Sequence, residues 1–580
     1  MLDRLRPLYP YLRRYWKSLA WGGVSVIFYN VIKILIPLVI GSAIDDMQHG
    51  LTEAKVVHHA LRLLIIAIFA AIFLYITREV IIGASRDIEY DLRNDLFANL
   101  ERQSASFFHT HRTGDIMART TNDLSAVRQL LGPAIMYSAN TIVFTAAALP
   151  FMIRISPKLT LCAFVPLPIA SVLVQYFGNR IHRRFERIQA MFSDISAKAQ
   201  ENFSGARLIR AFVQEEAEIA SFETANQEYI RRSLYLVRLM AMLWPTLEFV
   251  LGLSLMITLL VGGHEVISHR ISVGQFTSFI VYMVQLTWPM IAVGWVVNLF
   301  QRGTASVVRI DELLKQKPSI ADDPTARNTP INGDIEFRNL TFSYPDAPPV
   351  LHNINLRIPA GTSLAIVGPT GSGKSTLVSL IPRLHDVAPG AVLIDGQPIR
   401  HFTLAELRKS IGFVPQETFL FSETIRKNIA FGRPDATKEE VEDAASIAHI
   451  CTEILEFPKG FETMVGERGV TLSGGQKQRT AIARAVVRDP RILILDDALA
   501  SVDTYTEERI LSGLRQTMEN RTTIFISHRI STARNADQIA VLVNGRIAEL
   551  GTHDDLLTRN GYYTSLFEKQ RLEEELSIAT

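Results

Sequence analysis

Residues 471–503 read TLSGGQKQRTAIARAVVRDPRILILDDALASVD, and this stretch decides how the C-terminal half must fold. In its first part, LSGGQKQR (472–479), paired glycines precede a helical pattern. A helix that starts this way leaves free backbone N–H groups at its positive end, which favours a phosphate there. In its second part, ILILDD (492–497), four apolar residues run into two carboxylates. That pattern predicts a buried parallel strand ending in acid groups, the place where open α/β sheets gather their ligand chemistry. Taken singly, Gly-Gly is a plain turn and Asp-Asp a solvated loop start.

The sequence upstream changes that weight. GPTGSGKST (368–376) fits G-x-x-x-x-G-K-[ST], with Gly368, Gly373, Lys374 and Ser375 in the fixed places. It follows an apolar run (363–367) and precedes a helical one, TLVSLI. Glycine is needed because the backbone must wrap a phosphate closely with its N–H groups inward. Lys374 can reach the β- and γ-phosphates, and the Ser375 hydroxyl can bind Mg²⁺. Pro369, Thr370, Gly371, Ser372 and Thr376 complete the expected ATP-binding loop.

Together these residues resemble the ATP-binding cassette family, whose signature LSGGQ stands here as Leu472, Ser473, Gly474, Gly475 and Gln476. The resemblance implies further roles. Tyr344 in FSYP looks like the aromatic that stacks on adenine, Gln416 in VPQ like the glutamine at the catalytic metal, and His528 in ISHR like the switch histidine. GERG (466–469) looks like the loop that touches the membrane part in exporters. Asp496 would hold Mg²⁺ together with Ser375 and Gln416, and Asp497 stands where the family polarises the attacking water. In the family two ATPase domains close head to tail. The signature of one, including Ser473, then completes the cage around the γ-phosphate held by the other.

At that catalytic position the family carries glutamate, whereas this chain has Asp497. Aspartate is shorter by one bond, about 1.5 Å, and a misplacement of about 1 Å can cost on the order of 10²-fold in rate. Ala500, Ser501, Val502 and Asp503 also depart from the usual Ser-Ala-Leu-Asp. With LSGGQ intact, the combination resembles the degenerate-site subunit of heterodimeric, Mdl-like multidrug exporters, as does TSFIVYMVQLTWPM (277–290). The expectation is ATP-driven export of an apolar or amphipathic substrate by a heterodimer with a sister half-transporter, this chain's own site being slow. The alternatives are a homodimeric exporter or lipid flippase with two equal slow sites, and an ATP-gated channel or regulator.

Composition agrees with a membrane half. The chain has 580 residues, 48% of them hydrophobic, and a mean hydropathy of +0.16. A net charge of +2 gives no argument for nucleic acid, and two cysteines, Cys162 and Cys451, suggest no disulfide framework. Runs near 21–44, 58–82, 133–153, 159–177, 242–266 and 273–300 are each about long enough to cross a bilayer, which predicts six crossings. Arginine-rich gaps at 82–133 and 178–242 place those gaps, the N-terminus and the ATPase on the cytoplasmic side of the inner (plasma) membrane. Within the gaps, ASRDIEYDLRNDLFANLERQ and RIHRRFERIQAMFSDISAKAQENFSG keep helical periodicity without proline, so the crossings should continue well beyond the bilayer. The basic, aromatic start MLDRLRPLYPYLRRYWK suits an amphipathic surface helix.

The fold class is therefore an α-helical membrane domain of six helices with long cytoplasmic extensions, fused to an α/β phosphate-loop ATPase. Residues 1–318 form the membrane domain, 319–332 a polar linker and 333–580 the ATPase. By resemblance, 111–123 and 205–216 are coupling regions. Polar groups within apolar spans are candidates for a substrate path, because burial in lipid is costly for them. These are Lys33, Glu248, Gln285 and Asn298, with Trp288 and Trp295 nearby.

Overall fold

Among the described residues, five helices meet the length and apolarity needed to cross a membrane: Trp16–Gln48, Glu53–Glu101, Thr113–Ile155, Glu215–Ile267 and Val273–Lys315. The computed structural model describes residues 2–48, 50, 52–345, 347–466, 469, 472–499, 504–519 and 521–579. At 1.5 Å per residue the 53-residue helix Glu215–Ile267 is about 80 Å long, well over twice the hydrocarbon core. The extension of that crossing is thus continuous helix, whereas the one leading into Ile135–Ile155 is interrupted by the wider-wound segments Arg119–Asp123 and Leu130–Ala134. The run expected as a fourth crossing, 159–177, is divided between the helices Pro157–Phe164 and Pro166–Ser204. Proline explains both starts, since its missing N–H and fixed φ suit the first helical position. Ser156 caps the earlier helix by accepting a hydrogen bond from the Leu159 N–H.

The chain forms two compact units, Met1–Glu101 with Arg112–Gln316, and Arg102–His111 with Lys317–Thr580. Of the expected first coupling region, His111 lies in the second unit and residues 112–123 in the first. The second, 205–216, contains the short helix Ala206–Ala211.

In the first unit, the helices Trp16–Gln48 and Val273–Lys315 meet backbone to backbone at Gly41 and Gly274. A Cβ on Gly274 would fall 2.0 Å from the Gly41 carbonyl oxygen. The close approach lets the Tyr282 hydroxyl donate to the Ile34 carbonyl oxygen (2.9 Å) and Ser278 to that of Pro37 (2.7 Å). Buried Asp123 accepts from Ser306 at 2.8 Å and pairs with Arg309. The N-terminal segment is three short helical pieces, Leu2–Leu5, Arg6–Leu8 and Tyr9–Arg14. Its Tyr11 and Tyr15 hydroxyls donate to Asp95 (2.6 Å) and Asp91 (3.0 Å) on the helix Glu53–Glu101.

The second unit is built on two sheets. The strands are β1 (Ile335–Ser343), β2 (Pro349–Ile358), β3 (Ser363–Val367), β4 (Val392–Ile394), β5 (Gln397–Pro398), β6 (Ile411–Val414), β7 (Ile492–Asp496), β8 (Thr522–Ile526), β9 (Gln538–Val543) and β10 (Arg546–Gly551). An antiparallel sheet has the order β2-β1-β4-β5, and a six-stranded sheet the order β10-β9-β3-β8-β7-β6. In the latter β6, β7, β8, β3 and β9 run parallel. All five residues of β7 and of β8 are buried, as expected for a sheet covered on both faces. The ends of β3, β7 and β8 therefore open onto one edge, which positions the site. Of the polar linker, Ile331 is buried and the Arg327 N–H donates to the His401 carbonyl oxygen at 2.7 Å, tying it to this unit.

Candidate active site

The loop between β3 and the helix Lys374–Ser379 is shaped by its glycines. Gly368, Gly371 and Gly373 have φ of 150°, 80° and 99°. A Cβ on Gly368 would sit 2.1 Å from the Leu542 carbonyl oxygen, so no larger residue fits. The cleft next to it, about 300 Å³, is lined by Val350, Thr370 to Thr376, Gln416, Asp496, Asp497, Ile526 and His528. Of the expected nucleotide-site residues, the loop, both carboxylates, the glutamine and the histidine are thus brought together. Val350 and Ile526 join them from strands, and neither carries a signal in the sequence that sets it apart from core.

Lys374 is buried, and its ammonium donates to the Gly368 and Pro369 carbonyl oxygens, both at 2.9 Å. Burial holds its pKa below the usual lysine range, against the pull of Asp497 and Asp496. The Ser375 hydroxyl donates to Asp496 Oδ1 at 2.9 Å. Burial pushes the Asp496 carboxyl above its ordinary range; the Ser375 bond opposes this and the neighbouring Asp497 adds to it. A cation beside Asp496 would remove that strain. Ser375 and Asp496 are hard oxygen donors, and Mg²⁺ needs only one or two from a protein beside phosphate and water, so the pair fits that ion.

Asp497 follows the strand with φ of 49°, and Gln416 Nε2 approaches its Oδ2 at 3.5 Å, the outer limit of a hydrogen bond. Tyr344 is tied by its hydroxyl to Thr376 Oγ1 (3.0 Å) and stands edge-on to Phe342 and His385. Ser372 Oγ is buried with no hydrogen-bond partner. An orphaned hydroxyl beside inward-turned glycines fits an anion with spare acceptor oxygens.

The signature lies elsewhere. Ser473 caps the helix Gly474–Val486 by a reciprocal pair: its hydroxyl accepts from the Gln476 N–H (3.3 Å) and Gln476 Oε1 from the Ser473 N–H (2.9 Å). Gln476 and Arg479 are anchored on Glu453. Leu472 is buried, whereas Ser473 and Gly474 face solvent. None of residues 472–476 lines the phosphate-loop cleft. Residues 467 and 468 of GERG and residues 500–503 lie outside the described residues.

Two family models match the chain, ABC transporter transmembrane region over residues 19–290 and ABC transporter over residues 351–500. The probable multidrug resistance ABC transporter ATP-binding/permease protein YheI of Bacillus subtilis is 36% identical over 580 residues, 99% of this chain and 98% of that one. The chain belongs to the ABC exporters. The multidrug resistance-like ATP-binding protein MdlA of Escherichia coli is also 36% identical, over 98% of this chain and 97% of its own. A solved bacterial Atm1-family ABC exporter with ATP bound superposes with a TM-score of 0.78 at 30% identity, covering 96% of this chain and 98% of that one. This ABC exporter is a multi-pass membrane protein with its nucleotide-binding part cytoplasmic.

In the exporter's membrane unit the polar candidates separate. Asn298 lines a cavity of about 900 Å³, together with Trp295. Lys33, Glu248, Gln285 and Trp288 are not among its lining residues. The Lys33 ammonium stands 5.0 Å from the Phe144 ring and 5.9 Å from that of Tyr29, a cation–π setting. Glu248 is exposed, as is Trp288 (61%). Gln285 is half-buried, and its Oε1 has no hydrogen-bond partner. The cavity instead gathers Gln175, Asn179, His182 and Gln301. Sequence reasoning passed over them because most lie in or beside what reads as a cytoplasmic gap. Their polar stripe at helical spacing was the available signal.

Proposed function

We propose that this ABC exporter works as one half of a six-plus-six-helix dimer that hydrolyses ATP between two chains and moves an apolar or amphipathic substrate outward by alternating access. The observation that carries this is the separation of the two nucleotide motifs. The phosphate loop, Asp496, Asp497, Gln416 and His528 share one cleft, and the solvent-facing Ser473 turn is absent from its lining. A second chain must bring that turn to the γ-phosphate. An exposed apolar tip at Leu208, Phe212 and Val213, within the expected second coupling region, also suits a partner surface.

In this reading Tyr344 stacks on the base, the loop 368–376 holds the phosphates and Lys374 neutralises them. Ser375 and Asp496, with Gln416, hold Mg²⁺, which supplies charge neutralisation on the phosphate oxygens when bound. Asp497 orients the attacking water and His528 reaches toward the γ-phosphate. The membrane unit spans residues 1–318, the linker 319–332 and the ATPase 333–580.

The partner is proposed to be a sister half-transporter with glutamate in place of Asp497, this chain's own site turning over slowly. The competing reading, a homodimer with two equal sites, is favoured by one fact: Asp497 keeps the charge and lines the cleft. Turnover by the purified chain alone decides between them. A slow homodimer that accelerates when a glutamate-bearing sister is co-expressed supports the heterodimer; brisk turnover alone, abolished by Asp497→Asn, refutes it.

A further inference from the structure

We infer that the membrane cavity takes an amphiphile with an uncharged, hydrogen-bonding head, its apolar chain entering a side pocket. The inference rests on the assignment of the chain as an ATP-driven exporter and names the class of its cargo.

The cavity lies among the helices Ile135–Ile155, Pro166–Ser204, Glu215–Ile267 and Val273–Lys315 and measures about 900 Å³. Its polar wall is not scattered. Gln175, Asn179 and His182 stand at i, i+4 and i+7, one stripe of a helix. Asn298 and Gln301, at i and i+3, add a second stripe. Every amide side chain offers two donors and two acceptor lone pairs, so the wall can meet several hydroxyls or amides at once.

Charge is what the wall lacks. Among the described lining residues there is no aspartate, glutamate, lysine or arginine. His182 is the one titratable group there, and its Nε2 stands 3.2 Å from Glu186 Oε1, which is outside the lining. A cationic or anionic head would shed water and find no opposite charge on the wall, whereas a neutral polar head exchanges water for amides at little cost.

A smaller pocket of about 190 Å³ shares Phe164, Leu251, Leu286 and Thr287 with the cavity. Its other lining includes Leu255, Met283 and Val284, a surface for an alkyl chain. Head wall and tail pocket therefore adjoin across these four side chains, an arrangement that suits one amphiphile better than a compact polar solute.

The test uses the purified full chain in nanodiscs. Three ligands share a ten-carbon chain and differ in head: N-methylglucamide, trimethylammonium or sulfonate. The concentration giving half-maximal stimulation of Mg-ATP turnover is read, at levels that leave the discs intact. The glucamide is expected to act at a concentration at least tenfold below either charged ligand. Each methylene removed from its chain should raise that concentration by up to about fourfold. Replacing Asn179→Leu and Asn298→Leu together should erase the preference; if that variant does not fold, the wild-type series still decides. An equal or better response to the trimethylammonium ligand overturns the inference and points to Glu186 or Glu248; a better response to the sulfonate, or to no ligand at all, also overturns it. Complete absence of basal turnover is a separate and distinguishable result: it means that the chain's own ATP site needs the sister chain, and the same ligand order is then read from the shift in melting temperature, where no preference for the glucamide overturns the inference.

Discussion

Substituting Asp497→Glu should raise the ATP turnover of this chain by about 10²-fold. Asp497 lines the cleft with Lys374 and Asp496, yet its Oδ2 stands 3.5 Å from Gln416 Nε2, the outer limit of a hydrogen bond. One more methylene advances the carboxylate by about 1.5 Å. Misplacement by about 1 Å costs on the order of 10²-fold, which is about 2.7 kcal/mol of barrier at 1.36 kcal/mol per tenfold. One opposing effect needs weighing. Residue 497 has φ of 49°, a left-handed conformation that aspartate tolerates better than glutamate. The penalty is about 1 kcal/mol, but it falls on ground state and transition state alike and so lowers the melting temperature without slowing hydrolysis. Steady-state turnover of the purified full chain in nanodiscs is the assay. KM for ATP should hold, because the phosphate loop is untouched. If Asp497→Glu stays within about threefold of the parent while Asp497→Asn abolishes turnover, the shorter carboxylate is already well placed and the degenerate-site argument fails.

Four further outcomes are expected. Gly368→Ala should abolish nucleotide binding, read by calorimetry, because its Cβ would meet the Leu542 carbonyl oxygen at 2.1 Å. Ser473→Ala should leave nucleotide binding at the chain's own loop intact, yet lower turnover at least tenfold and cost about 1 kcal/mol of helix cap; Ser473→Thr, which keeps the cap, should restore the stability, so an equal loss of melting temperature in both refutes the cap assignment. Asp123→Ala should destabilise the membrane unit by about 1–2 kcal/mol, since it removes the acceptor of Ser306 and the partner of Arg309, whose half-exposed guanidinium can turn to water, and a fluorimetric melting point unchanged by the substitution counts against it. In EDTA without nucleotide, the raised folded pKa of Asp496 means the folded state binds its proton more tightly than the unfolded one. Stability therefore falls as pH rises from the ordinary aspartate range through the raised value, and Asp496→Asn should melt higher than the parent at neutral pH and flatten that slope.

Sequence alone determined what is written within a few consecutive residues. The phosphate loop 368–376, the capped signature turn at Ser473 and the acid-ended strand β7 each depend on local backbone preference, so residue type and spacing fixed them. The long apolar helices were legible for the same reason. Tertiary structure decided what depends on gaps and approaches between distant segments. It split the run at 159–177 into two proline-started helices and grouped Arg102–His111 with the C-terminal unit. It set Asn298 beside Gln175, Asn179 and His182 while leaving Lys33 against Phe144 and Glu248 exposed. A polar residue in an apolar span announces its own cost of burial, but whether it meets a cavity, a ring or open surroundings depends on how neighbouring helices pack, and no single helix encodes that.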